Sequence, residues 1–162
     1  MIIVSDTSPI NYLVLIGEID VLPQLLGRVI IPRAVFAELQ AEKTPEIVKQ
    51  FIADLPDWIE IAEAKNGLEI ELTELDAGER EAIALAEELG ADALLMDEKS
   101  GREAALKRSL PVVGTLGILE RAAEKNLIDF PATLKALKSK GFFVAPALEH
   151  IFLARDFQRK NA

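Results

Sequence analysis

Two aspartates directly follow short apolar runs, and their positions favour a shared chemical site. Asp6 comes just after the run at residues 2–4, and Asp97 comes just after the run at residues 93–96. In an open parallel sheet, residues past the carboxyl ends of the strands face one crevice, in which ligands bind. Two carboxylates there raise each other's pKa unless a cation or a shared proton lies between them. Hard divalent ions such as Mg²⁺ are the usual partners of clustered carboxylates, so the pattern predicts a metal site.

Each aspartate also has a structural explanation. The stretch from Asp6 to Pro9 is turn chemistry, so Asp6 is equally typical of an Asx-turn or a helix cap. Asp97 precedes a predicted helix and is placed to cap it. The two positions alone leave these alternatives open.

Three glutamates on predicted helices are further candidates. Glu38 lies at the border of the apolar face of its helix, where a solvated helix acid is the simpler interpretation. Glu79 follows Asp76 in the pattern of a capping box, which explains it locally. Helix starts after a strand point at the same crevice, so both roles of Glu79 are compatible. Periodicity does not separate Glu79 from Glu81, because both flank one apolar face.

Short apolar runs that alternate with helical patterns predict the architecture that positions these acids. Continuous runs are typical of strands buried on both faces of a parallel sheet, and they lie at residues 2–4, 29–31, 93–96 and 112–113. Residues 57–72 predict an edge strand or hairpin. Helical patterns lie at residues 32–40, 44–55, 76–90, 100–107, 116–124, 131–138 and 146–157. The alternation predicts an α/β fold, a three-layer α/β/α sandwich with a central parallel sheet.

Composition limits the kinds of site that this chain offers. Its 162 residues suit one domain over residues 1–162, with residues 126–162 as a C-terminal helical extension. The absence of cysteine excludes disulfides and thiolate metal sites. One histidine, His150, excludes sites that need two imidazoles. No apolar stretch approaches the ~18 residues of a membrane span, and no secretory signal is visible at the start, so we expect a cytoplasmic protein.

The acidic balance of the chain bears on its partners. A formal net charge of −9 argues against tight non-specific binding to nucleic acid, which rests on lysine and arginine. Carboxylates that bind Mg²⁺ or Mn²⁺ become a local attractor for phosphate. The global charge therefore does not decide whether nucleic acid is a partner.

Four segments, taken in order, resemble the motifs of the PIN (PilT N-terminal) domain family. Residues 3–10, which include Asp6, resemble the first strand and its metal-binding aspartate, and residues 31–39 resemble the second motif, with Glu38 on a helix. Residues 75–86 are similar to the third motif, an acid near the start of an alanine-rich helix, and residues 94–98 to the fourth, with Asp97. The resemblance covers about residues 1–125 and is strongest to a nucleic-acid-binding branch related to toxin–antitoxin ribonucleases.

The resemblance implies a function and a set of site residues. PIN domains are similar to nucleases that cleave phosphodiesters with Mg²⁺ or Mn²⁺. Asp6, Glu38 and Asp97 are then implied as metal ligands and catalytic residues, with Glu79 as the third-motif acid and Glu81 as its possible substitute. The implied activity is that of an endoribonuclease, the toxin of a toxin–antitoxin pair, with RNA preferred over DNA. An antitoxin protein and a second copy in a homodimer are the further partners implied.

Hydroxyls and cations beside these acids have supporting roles in this interpretation. Ser5, Thr7 and Ser8 are placed to hydrogen-bond the carboxylates or a phosphate, and turn-capping explains them equally well. Lys99 and Arg102 are candidate phosphate contacts, with solvated helix charges as the simpler interpretation.

Two other classes of function stay open. The first is a PIN-like module that binds nucleic acid or an antitoxin with little or no catalysis. Its interface would be formed by the apolar C-terminal residues Phe142, Phe143, Ile151, Phe152 and Phe157, for which core packing is the simpler interpretation. The second is a phosphatase or phosphoryl-accepting receiver with a strand-end aspartate. Phosphatases of the haloacid-dehalogenase type have a second aspartate at the position where this chain has Ser8, which disfavours that class.

Overall fold

The central feature of the fold is a parallel β-sheet. The computed structural model describes residues 1–65 and 74–162. Within them the strands are β1 (Ile3–Ser5), β2 (Val29–Pro32), β3 (Ile59–Ala62), β4 (Ala93–Leu95) and β5 (Val112–Val113). They form one sheet in the order β3-β2-β1-β4-β5, and each neighbouring pair runs parallel. The predicted central parallel sheet is confirmed.

Helices cover both faces of this sheet. In the described residues they are α1 (Thr7–Leu15), α2 (Val21–Leu26), α3 (Arg33–Glu38), α4 (Glu46–Ala53), α5 (Ala77–Leu89), α6 (Lys99–Lys107), α7 (Thr115–Glu124), α8 (Phe130–Ser139) and α9 (Pro146–Lys160). Ile3 and Leu95 share a core with α1, α2, α4, α7 and α8. Val4 and Leu94 point the other way and share a second core with α5 and α6. Alternate strand residues thus serve opposite faces, and the three-layer sandwich is confirmed.

Several details of the predicted elements differ from the structure. Helices α1 and α2 were not among the predicted segments, since the start of α1 has turn chemistry. Pro9 falls in the first turn of α1, where its fixed φ and missing N–H are tolerated. Pro32 ends β2 and occupies the N-cap of α3, instead of the predicted first helical turn. The predicted edge strand is β3, and the remainder of that prediction, residues 66–72, lies outside the described residues.

The strand order creates a crevice beside the central strand. From β1 the chain builds one half of the sheet with β2 and β3, and then returns to the other side of β1 with β4 and β5. Residues beyond β1 and β4 therefore flank the point where the direction of winding reverses, which is where open α/β sheets bind ligands. Asp6 follows β1 there, and its N–H donates to the carbonyl of Leu95 at 2.9 Å. Asp97 lies just beyond β4.

In the described ranges, 1–65 and 74–162, no helix combines the length and apolar character needed to cross a bilayer.

Candidate metal centre

Asp6 is a buried carboxylate whose hydrogen bonds are incomplete. It occupies the N-cap position of α1, but its side chain makes no capping hydrogen bond there, so a capping role does not explain it. The side chain is 3% exposed, and within the described part of the chain its Oδ1 has no hydrogen-bond partner. Burial raises the pKa of Asp6 to about 8, with smaller contributions from the charges of Asp76, Glu79 and Glu38; the nearby backbone N–H of Thr7 opposes the shift.

Glu38 joins the first turns of two helices at this point. It is the last residue of α3 and is partly buried. Its Oε2 accepts a hydrogen bond from the Thr7 hydroxyl, and its Oε1 accepts one from the Gly78 N–H at 2.8 Å. A Cβ atom at Gly78 would lie 2.5 Å from Glu38 Oε2. Glycine is therefore the residue that allows the backbone of α5 to approach this carboxylate.

Asp76 brings a third carboxylate to the same place. It is the N-cap of α5, and its Oδ1 accepts a hydrogen bond from the Glu79 N–H at 2.7 Å. One carboxylate oxygen from each of Asp6, Glu38 and Asp76 lies within 4.8 Å of the other two. We call these three residues the acidic triad. Hard oxygen ligands at such spacing suit a divalent cation.

Glu79 and Glu81 have different surroundings, although periodicity alone left them equivalent. Glu79 is 7% exposed and completes the capping box, since its Oε2 accepts from the Asp76 N–H at 3.2 Å. Burial is the main cause that raises its pKa, followed by the charge of Asp76. Glu81 points elsewhere, because its Oε1 accepts from the Ala34 N–H in the first turn of α3 at 2.8 Å. Of the two glutamates, Glu79 is thus the one beside the triad, and its role as third-motif acid and ligand stays a prediction.

Asp97 is held by donors from two helices. Its Oδ1 accepts from the Thr115 N–H at 2.7 Å, and its Oδ2 accepts from the hydroxyls of Thr115 at 2.7 Å and Ser8 at 2.8 Å. It thus accepts from the first N–H of α7, whose N-cap is Gly114, and it is not the N-cap of α6, which is Glu98. Asp97 is not one of the residues of the acidic triad. A carboxylate offers about four lone-pair sites, so metal binding by Asp97 stays a prediction beside its observed structural role.

Comparison with known proteins agrees with this geometry. A family model described as a PIN domain matches residues 2–155. This chain belongs to the PIN domain family. PIN domains are generally nucleases that use divalent metals. A search of curated proteins found no match. The family match extends into α9, beyond the part of the chain in which the four motifs lie.

The acidic triad of this PIN domain fits a divalent metal. Three carboxylates converge, and a buried oxygen of Asp6 lacks a hydrogen-bond partner in the residues that the structure describes. Leaving such an oxygen charged and unmet is costly in a protein interior. A cation bound to Asp6, Glu38 and Asp76 would remove that cost.

Asp76 is the member of the triad that the sequence interpretation missed as a ligand. Its capping-box pattern with Glu79 explains Asp76 locally, so the sequence alone did not indicate a second role for it. The argument that was applied to Glu79 also applies to Asp76, since the start of a helix that follows a strand faces the crevice. The N-cap residue itself lies there as directly as the acid three positions later.

The predicted supporting residues divide into two groups. Thr7 and Ser8 donate to Glu38 and Asp97, as expected for hydroxyls that orient carboxylates, whereas the Ser5 hydroxyl donates to the carbonyl of Asp6 at 2.9 Å.

The predicted cations also differ in position. The Lys99 side chain is 90% exposed and lies 4.0 Å from Glu103, which fits a solvated helix charge. Arg102 lies beside the site, because a Cβ at Gly114 would be 3.0 Å from its guanidinium and 3.1 Å from Asp97 Oδ1.

Proposed function

We propose that this PIN domain is a Mg²⁺- or Mn²⁺-dependent endoribonuclease that hydrolyses phosphodiester bonds. The observation that carries the proposal is that, among the residues the structure describes, the buried Oδ1 of Asp6 in the acidic triad has no hydrogen-bond partner. A carboxylate in this state has a reason to bind a cation that a surface acid lacks. Family membership supplies the link from metal to nuclease chemistry.

Each residue of the site has a task in this proposal. Asp6, Glu38 and Asp76 hold the metal, and Glu79 assists directly or through water. A bound metal would lower the pKa of a water and neutralise charge on the phosphate oxygens during hydrolysis. Asp97 keeps the N-terminus of α7 and Ser8 in register with β4, and it is placed to contribute a further ligand.

The substrate and biological setting belong to the same proposal. RNA is favoured over DNA by the resemblance to toxin–antitoxin ribonucleases, and the toxin of such a pair, in the cytoplasm, is the role that follows. The acidic balance, with net charge −9, means that nucleic acid must be attracted locally. A metal at the triad supplies that attraction.

A cleavage assay tests the proposal. Wild type is incubated with structured and single-stranded RNAs, and with matching DNAs, in Mg²⁺, Mn²⁺ or EDTA. We expect metal-dependent cleavage that Asp6→Asn and Asp97→Asn lose. Glu81→Gln is the control, since it removes a charge from the same helix as Glu79 but lies at the Ala34 N–H. Equal cleavage by wild type and Asp6→Asn would indicate a contaminant and remove the nuclease proposal.

The second candidate is a binding module that pairs with an antitoxin or with a second copy and cleaves weakly or not at all. It is favoured by apolar side chains that α9 leaves in solvent, with Ile151 47% and Phe157 68% exposed. Calorimetric titration with Mn²⁺ separates the candidates. The binding module is favoured if wild type takes up no metal, or if Asp6→Asn takes it up equally well.

A further inference from the structure

A groove on the β5 side of the sheet has Asp97 in its wall. It passes the end of β5 and continues between α7 and the start of α9, with a cavity volume of about 470 Å³. This lies within the range of about 300–1,000 Å³ that is typical of small-ligand sites. Its walls include Arg102, Gly114, Arg121 and Phe143. Asp97 accepts a hydrogen bond from Ser8, two residues after Asp6, so one wall of the groove adjoins the residues that carry the candidate metal centre.

Phe143 is the aromatic ring of this groove that is left uncovered. Phe142 packs edge-on against Tyr12 with ring centroids 5.0 Å apart. Phe152 stacks on Phe130 at 5.9 Å. Phe143 is 81% exposed, and within residues 1–65 and 74–162 it contacts no other ring. An exposed phenyl ring beside a pocket offers a flat face on which a nucleobase can stack.

Two cations of the groove wall, Arg102 and Arg121, offer contacts to a phosphate. Arg102 lies beside Asp97, and neither arginine makes a salt bridge to any residue that the structure describes. Glu120, an acid of the wall, is already paired with Arg155 at 2.7 Å. Glu124, at the end of α7, also lines the groove. Of the two arginines, Arg102 is the one beside Asp97, so the phosphate nearest the candidate metal centre is assigned to it.

We propose that this groove binds one unpaired nucleotide next to the phosphate that is cleaved. The base stacks on Phe143, and its phosphate contacts Arg102. The inference rests on the proposed nuclease function and deepens it, since it assigns the base and the phosphate of one nucleotide to two side chains, Phe143 and Arg102, of this groove. A base held in a duplex has no free face for Phe143, whereas single strands are commonly bound by stacking on aromatic side chains.

Fluorescence anisotropy with a labelled single-stranded oligouridine tests the proposal. The full chain is measured with Mn²⁺ and separately with EDTA, beside an oligomer of the same length that lacks bases. Phe143→Ala should weaken binding of oligouridine about 5- to 10-fold, the lower end of the range for base stacking. It should leave binding of the abasic oligomer unchanged. Because Phe143 is 81% exposed, its removal should not alter the melting temperature.

Arg102→Ala provides the second arm. It should weaken binding of both oligomers and lower the slope of log K against log salt by about 0.7, the value for one phosphate contact to a single strand. The matched controls are Ile47→Ala, which removes a 53% exposed apolar residue of α4, and Arg28→Ala, which removes a cation before β2. Both controls should bind as wild type.

The inference is wrong if Phe143→Ala binds oligouridine as tightly as wild type, or if Ile47→Ala loses as much affinity for oligouridine as Phe143→Ala does. It is also wrong if wild type binds neither oligomer. If Phe143→Ala alters self-association and not oligonucleotide binding, the groove is a protein interface and the inference is wrong. If RNA is cleaved but cleavage does not depend on Phe143, the inference is wrong and the proposed nuclease function is supported. Base-dependent binding without cleavage supports the groove and removes the nuclease proposal.

Discussion

Metal binding at the triad should release a proton from Asp6. Burial raises the pKa of Asp6 to about 8, so at pH 7 roughly nine-tenths of the metal-free molecules carry a proton there. A carboxylate must lose its proton to become a metal ligand. Binding of Mn²⁺ at pH 7 should therefore release about 0.9 proton from this residue. At pH 9 the same calculation leaves about 0.1 proton to release.

Titration calorimetry in buffers of different ionisation enthalpy measures this release directly. The observed enthalpy varies with the buffer in proportion to the number of protons released. The affinity should also rise about tenfold per pH unit below pH 7 and level off above about pH 8. Glu79 adds to the release in the same direction, because burial and the charge of Asp76 raise its pKa as well.

The control for this experiment is Glu81→Gln, whose side chain lies at the start of α3 and which should release as many protons as wild type. Asp6→Asn should bind metal weakly and release little. No proton release at pH 7, together with an affinity that is independent of pH, would refute the reasoning. That outcome would mean that Asp6 is already ionised, or that metal binds elsewhere.

The same shift of the Asp6 pKa has a consequence for the metal-free fold. Between about pH 4 and pH 8 the folded state holds a proton that the unfolded state has lost, so the unfolding free energy falls as the pH rises. The slope from this residue is at most about 1.4 kcal/mol per pH unit. Asp6→Asn should flatten that slope when the unfolding free energy is measured by urea titration at several pH values. Mn²⁺ should raise the unfolding free energy of wild type but not that of Asp6→Asn.

Three further substitutions separate the roles of neighbouring residues. Asp76→Ser keeps an acceptor for the Glu79 N–H, so the unfolding free energy of this variant should stay near that of wild type while its Mn²⁺ affinity falls. Asp76→Ala should also bind Mn²⁺ more weakly, and because it loses the cap its unfolding free energy should fall by about 1 kcal/mol. If Asp76→Ser binds Mn²⁺ normally, Asp76 is not a ligand. Gly78→Ala places a Cβ 2.5 Å from Glu38 Oε2, and it should cost about 1–3 kcal/mol and weaken Mn²⁺ binding; Ala77→Ser, at the exposed neighbour, should do neither. Glu38→Gln should weaken Mn²⁺ binding, whereas Glu81→Gln, whose amide oxygen still accepts from the Ala34 N–H, should match wild type in the same titration.

Most of the fold could be predicted because its strands are buried on both faces. Such strands are written as continuous apolar runs, and Val4 and Leu94 pair in register where the runs predict strands. Helix α1 escaped prediction because its first residues are typical of a turn. It is stabilised by Ile10 and Leu13, which are fully buried in the core, and such tertiary packing is not visible in local propensity.

The sequence predicted only part of the candidate site, because the remaining part depends on how the helices pack. Asp6 and Glu38 followed from position and resemblance, and the structure places them together. The local pattern explained Asp76 as a cap, because one oxygen of a carboxylate is enough for that bond. Whether an oxygen also faces a neighbouring acid depends on the packing of α5 against α3. That packing, through the Ala34 N–H, also distinguishes Glu81 from Glu79.

The arrangement of helix N-termini explains why the cation is needed mainly at Asp6. Backbone N–H groups near the starts of α5 and α7 donate to Glu38 and Asp97, and the positive end of a helix dipole favours negative charge there. These two carboxylates are therefore stabilised by the protein itself. Asp6 keeps a buried oxygen without a hydrogen-bond partner in the described residues. The electrostatic cost of the site is thus concentrated on one residue, which is why Asp6→Asn should affect metal binding more than the loss of any other ligand.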